Sequence, residues 1–186
     1  MTTQEAEQQI VNGLESGERL LWAGVPRQGL VLRSSDALVI PFTLLWGGFA
    51  FFWEFGVIGS GAPWFMALWG IPFVLIGLYI IVGRFFVDSA QRSRTAYGVT
   101  DRRIVIVSGL FSRTVRTLPV KTLTDVSLTE KSDGSGTITF GPTHPMAQWA
   151  GGIAWPGMGA YWSPCFEMIS DAKAVHAQVR QAQANA

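Results

Sequence analysis

Two uninterrupted apolar stretches constrain this chain more than any other feature. Ala37 to Val57 reads ALVIPFTLLWGGFAFFWEFGV, with Glu54 as its one charge, and Pro63 to Val82 reads PWFMALWGIPFVLIGLYIIV with none. A bilayer core of about 30 Å takes about 20 apolar residues at 1.5 Å of helical rise each, so both stretches have spanning length. Neither carries a polar stripe at helical spacing, as a helix lying on a soluble domain would. A chain of 186 residues cannot enclose two such helices on every side. The expectation is a membrane hairpin over 37–82, with spans 37–57 and 63–82. Trp53 and Trp64 flank its linker as interfacial anchors. Gly47, Gly48, Gly70, Gly77 and Pro72 are read as close-packing and kink positions. Glu54 is expected to reach headgroup water from the outer end of its helix.

Basic residues orient the hairpin. Arg19, Arg27 and Arg33 precede it and Arg84, Arg92, Arg94, Arg102 and Arg103 follow it, while the linker has no Lys or Arg. The positive-inside rule then puts both termini in the cytoplasm. The first 18 residues lack the basic and apolar regions of a cleavable signal, so none is expected. The single cysteine, Cys165, suits a reducing compartment and excludes a disulfide framework. With 48% hydrophobic residues, disorder is excluded as the general state. A net charge of +1 argues against a nucleic-acid binder driven by bulk charge.

Outside the hairpin the pattern changes. A polar helix with Ile10, Val11 and Leu14 on its apolar side opens residues 1–36, followed by a short strand at Leu20–Trp22. Beyond the hairpin the period becomes two. Strands are expected at Thr95–Thr100, Arg103–Ser108, Thr114–Leu118, Leu123–Thr129 and Thr137–Phe140, separated by turn residues such as Asp133-Gly134-Ser135-Gly136. Short strands so closely spaced imply an antiparallel sandwich or partly open barrel over 83–180. A final helix, with Ser170 as N-cap and Ile169, Ala172, Val175 and Val179 on one face, covers the sheet. The tail 181–186 is expected to fray.

No Asp, Glu, Lys or Arg occurs from Gly134 to Phe166. Within that stretch Trp149, Trp155 and Trp162 either cover the open end of the sheet or rest in the headgroup region. The residues offer little to catalysis. His144, His176 and Cys165 share no ligand spacing, Ser135 lacks the nucleophile-elbow pattern, and there is no phosphate-binding loop of the G-x-x-x-x-G-K-[ST] type. No catalytic residue, metal or cofactor is expected. Between Arg84 and Arg116, seven arginines face two aspartates. A juxtamembrane cluster of that kind attracts an anionic leaflet at about 1 kcal/mol per basic residue.

Four motifs in order resemble those of bacterial membrane proteins with a pleckstrin-homology-like (PH) domain. Gly17-Glu18 through Trp22, Gly24 and Pro26 resembles the family's GE-x-x-x-W-x-G-x-P opening. Tyr97-Gly98-Val99-Thr100-Asp101-Arg102-Arg103 resembles its Y-x-V-T-x-x-R hairpin, and Gly136 to Gly141 its GTI-x-FG strand. Phe166, Ile169, Asp171 and Val175 resemble its closing strand and helix. The resemblance implies an α+β chain: two transmembrane helices and a seven-stranded antiparallel PH-like barrel capped by the C-terminal helix. The sixth and seventh strands would then come from the tryptophan-rich region. It implies fold and place, the bacterial inner membrane, more than an activity. The expected role is non-catalytic binding of a protein partner, self-association included, or of anionic lipid headgroups. Arg92, Arg94, Arg102 and Arg103 are the candidate contacts, and Trp53, Trp64, Trp149, Trp155 and Trp162 the candidate interface residues. The alternatives are an accessory subunit of a membrane transporter and a membrane enzyme.

Overall fold

The computed structural model describes residues 1–33, 36–110, 112–142 and 163–185. These divide into two compact units, one from residues 1–31, 89–142 and 163–185 and the other from residues 32–88.

The first unit holds seven antiparallel strands in two sheets. Sheet 1 runs in the order β1 (Leu20–Gly24), β2 (Ala96–Thr100), β3 (Arg103–Ser108), β4 (Thr114–Pro119); sheet 2 is β5 (Val126–Glu130), β6 (Gly136–Phe140), β7 (Cys165–Ile169). Among the described residues no strand pairing joins the two sheets, so the barrel is not closed. The strand β1 precedes the apolar hairpin in sequence yet pairs with β2, which follows it, with Gly24 opposite Tyr97 and Leu20 opposite Thr100. That pairing corrects one expectation. Seven strands are reached without residues 146–162, because β1 is contributed from before the hairpin and β7 from after the tryptophan-rich stretch. The fifth strand also starts later than its alternation suggests, at Val126, with residues 123–125 in irregular backbone after the 3₁₀ turn Val120–Thr122.

The central strands β2 and β3 of sheet 1 are buried on both faces, which explains the continuous apolar run Ile104–Val107. Tyr97, Val99, Ile104 and Ile106 face the main core with Ile138, Phe140, Phe166 and Ile169. Ala96, Val105 and Val107 point the other way, onto Ala6 and Ile10 of α1 (Thr3–Val11). Thr2 and Glu5 close a reciprocal capping box at the start of α1. Val11, expected on its buried side, is exposed. At Gly98, a β-carbon would lie 2.8 Å from Cγ2 of Ile10, so this glycine admits the helix onto the sheet. Phe166 anchors the main core, 4.7 Å from the Tyr97 ring and 5.0 Å from that of Phe140 between centroids.

Closing the unit, α5 (Ala172–Asn185) buries Ala172, Val175, Val179 and Ala182. It begins after Asp171, not after Ser170. It extends through Asn185 into the tail, where Ala182 is buried and Gln183 Nε2 donates to the Leu123 carbonyl at 2.9 Å.

The second unit is a helical pair. Helix α2 spans Asp36–Gly59; α3 (Trp64–Leu78) continues through a π-turn at Tyr79–Gly83 into α4 (Arg84–Arg92). Both Asp36–Gly59 and Trp64–Arg92 are long and apolar enough to cross a membrane, with mean hydropathies of 1.5 and 2.4. The second helix outruns its expected end at Val82 by nearly three turns. Gly47, Gly70 and Gly77 are buried where the two helices meet; Gly48, read as one of them, is exposed with open space around it.

Candidate functional site

Charge in the helical pair is concentrated at the end where the chain enters and leaves it. Arg84 and Asp88 lie one helical turn apart on α4 and therefore share a face. Arg84 donates to Asp36 Oδ1 at 2.7 Å and Arg33 to Asp88 Oδ1 at 2.9 Å, both pairs largely buried. The Asp36 carboxylate also accepts the Arg33 backbone N–H at 2.7 Å. In the first unit Arg92 plays a comparable part. Its guanidinium donates to the carbonyls of Arg27 and Gly29, and Gln28 returns a bond to the Arg92 carbonyl at 3.3 Å. The strands of chain on either side of the hairpin are thus tied together at its base. Arg92 is 4% exposed, and these bonds make it a clamp between the two segments.

A second polar centre joins two of the sequence motifs. Glu18, from the Gly-Glu opening, is buried beside sheet 1, its side chain fully covered. It accepts two bonds from Arg103, at 2.8 and 2.9 Å, one from the Thr100 hydroxyl at 2.7 Å and one from the Glu15 N–H at 2.8 Å. Burial pushes the Glu18 carboxyl up, but the bonds from Arg103, Glu15 and Thr100 together with the Arg103 charge outweigh it and hold it below the ordinary value. Arg103 is correspondingly held more firmly protonated, chiefly by its hydrogen bond to Glu18. It also pairs with Glu15 at 3.1 Å.

The four candidate arginines therefore do not form one patch. Arg92 and Arg103 are engaged internally. Arg102 is exposed in the β2–β3 turn, at the end of sheet 1 where Leu20 faces Thr100. Arg94 is exposed just before β2, at the opposite end, and donates to the Leu110 carbonyl. Arg113, in the β3–β4 connection, lines the same pocket as Arg94; its distance of 19 residues along the chain concealed that proximity from spacing alone.

Trp53 and Trp64 are both exposed on the helical pair. Trp149, Trp155 and Trp162, like His144, lie outside the described residues. Glu54 differs from expectation. Its Oε2 is buried against Gly70 of α3 with no hydrogen-bond partner among the described residues, so the carboxyl turns into the helix–helix seam. Among the described residues no group of three or more His, Cys, Asp and Glu side chains is placed to hold a metal.

Four strands facing three, a closing helix and an apolar helical pair inserted between β1 and β2 define an α+β protein of PH-like architecture. The family model described as "Bacterial PH domain" matches residues 37–162, and the chain belongs to that family. No curated protein and no solved structure matches it. The matched stretch leaves out β1, β7 and α5, all of which the fold builds into the two-sheet unit. The Glu18–Arg103 pair thus ties a residue outside the match to one within it.

Proposed function

We propose that this protein is an integral protein of the bacterial inner membrane that holds a non-catalytic PH-like binding domain at the inner leaflet. One observation carries the reading: α2 and α3 expose large apolar side chains along their length, among them Phe52 and Trp64 at 76%. Water would penalise such a surface heavily, whereas hydrocarbon would not. The buried ion pairs sit at the single end that joins the domain, where headgroup water begins. Basic residues flank that end and none lies in the linker, which favours cytoplasmic termini. Trp53 and Trp64 would then sit at the outer interface.

Membership of the PH family favours lipid or protein binding over catalysis. The lipid mode draws on exposed arginines, of which Arg94 lies at the hairpin-bearing end of sheet 1 and Arg102 at the other. A protein mode is favoured by β4, which pairs only with β3 among the described residues and leaves Val115 half exposed. Such an edge suits addition of a strand from an extended peptide or a second copy.

Alkaline carbonate extraction of membranes tests the anchor: the chain should stay in the pellet, and its release would remove the basis of the proposal. A photo-crosslinker at Val115 in cells tests the protein mode. An adduct of defined mass supports it, a multi-span protein in that adduct would mark an accessory transporter subunit, and no adduct counts against the edge.

A further inference from the structure

Past the end of β1, the chain from Pro26 to Gly29 is bonded on two sides. Arg92, the last residue of the helix Trp64–Arg92, donates to the carbonyls of Arg27 and Gly29, and Gln28 donates to the Arg92 carbonyl at 3.3 Å. On the other side the Arg27 N–H donates to the Met168 carbonyl of β7 at 2.9 Å. This strap connects the end of the second apolar helix to sheet 2 through two successive sets of hydrogen bonds.

Met168 is where sheet 2 departs from regular pairing. Phe166 lies opposite Ile138 and Ile169 opposite Gly136, so Glu167 and Met168 together face Thr137 alone, as in a β-bulge. Met168 has φ of +48°, a left-handed conformation that is uncommon for a residue with a β-carbon. Backbone of this kind persists only where its surroundings over-determine it. Two bonds do so here: the Met168 N–H reaches the Thr137 hydroxyl at 3.3 Å, and the Met168 carbonyl accepts from Arg27. The second of these comes from the strap. Phe166 and Ile169, on either side of the bulge, are fully buried in the main core, so a change at Met168 reaches the packing between the sheets.

We infer that the strap and the Met168 bulge form a conformational relay, through which the seating of the second apolar helix in the bilayer sets the order of β7. While Arg92 holds the strap, Arg27 keeps Met168 left-handed. When the helix end shifts, the strap releases the Met168 carbonyl, and the residue relaxes toward extended backbone and loosens β7 against β6. The relay rests on the membrane-anchored reading above and makes the binding unit responsive to bilayer thickness.

Hydrogen exchange of the full chain in nanodiscs tests it, with thin discs of dimyristoyl and thicker discs of dioleoyl phosphatidylcholine. Exchange at Arg27 and at residues 166–169 is expected to differ several-fold between the two, while Ile104–Val107 stays unchanged. R92Q should speed exchange at 166–169 several-fold and remove the difference between discs. Q28A, which removes the bond to the Arg92 carbonyl from an exposed position, should act the same way more weakly and takes the place of R92Q if that variant does not fold. M168G and M168A lose the same buried side chain, but only glycine adopts a positive φ without strain. R92Q with M168G should therefore return 166–169 toward slow exchange, whereas R92Q with M168A should stay fast. Equal exchange in the two discs, no effect of either strap variant, or equal exchange of the two double variants overturns the relay. The comparison of the double variants can be repeated in detergent and needs no bilayer, so failure of the coupling is told apart from failure of the anchor, which carbonate extraction reads.

Discussion

Glu18 is the residue on which the assembly of the sheet unit depends most visibly, because its carboxylate gathers groups from segments separated by the entire hairpin. Removing one partner of a buried pair leaves the other charge unsatisfied. Glu18→Ala is expected to destabilise the unit by about 3 kcal/mol, toward the low end for buried pairs because Arg103 is partly exposed. Thermal unfolding of the detergent-solubilised chain measures it. The pH dependence follows from the lowered carboxyl. The stability this group contributes is complete above the unfolded-state value and is lost as pH falls through the folded one. Glu18→Gln should therefore flatten the acid limb of the stability profile below about pH 5, and an unchanged limb would show that other carboxylates govern it. Gly98 is a steric counterpart. Gly98→Ala should cost about 1–3 kcal/mol by overpacking, and less in an Ile10→Ala background, since the clashing atoms are then gone. A double-mutant cycle reads that coupling directly.

Among the elements, the second apolar helix shows how an extension alters a role. Up to Val82 it is uniformly apolar, and beyond it Arg84 and Asp88 recur at four-residue spacing to meet Asp36 and Arg33. Asp36→Ala should destabilise the helical pair by about 3–5 kcal/mol by removing a buried carboxylate from the Arg84 guanidinium. The exchange Asp36→Arg with Arg84→Asp should recover part of that loss, seen as resistance to heat-induced aggregation in detergent. Equal damage from single and exchanged variants would assign the loss to packing. In sheet 2, Phe166→Ala should cost about 3–5 kcal/mol, since it removes a ring that Trp22, Tyr97 and Phe140 all pack against. Loss of tryptophan fluorescence structure on mild heating would report it.

At the scale of the whole molecule, the hairpin is an insertion into a sheet, not a leader joined to a finished domain. The clamp from Arg92 to the Arg27 and Gly29 carbonyls holds the two chain ends at the point of insertion. Deleting residues 32–88 and joining residue 31 to residue 89 through a short Gly-Ser linker is therefore expected to give a soluble, folded unit. A chain starting at residue 83 should fail to fold, because it lacks β1, α1 and Glu18. Circular dichroism and cooperative unfolding distinguish the two, and a folded 83–186 fragment would refute this account of β1.

What could be read from the residues in order was whatever depends on local pattern. The two long apolar runs, the Arg103–Ser108 strand and the face of α5 are periodicities, and solvent transfer acts on them one segment at a time. The family resemblance likewise rests on short contiguous motifs. Adjacent Arg102 and Arg103 belong to one run in the sequence yet differ in exposure, because Arg102 lies in the β2–β3 turn while Arg103 opens β3 and is drawn in by Glu18. Arg92 could be recognised as a clamp only once the segment at Arg27–Gly29 was brought to it by the pairing of β1 with β2.

The linear order of residues by itself determined that this chain has two membrane-length helices and an antiparallel sheet unit, because burial of apolar surface reads directly from spacing. Only the tertiary structure decided that β1 crosses the insertion to complete sheet 1, that Glu18 meets Arg103, and that Arg94 and Arg113 share one pocket. Those outcomes depend on closing loops of many residues, and the energy that selects among such closures resides in contacts that no local window contains.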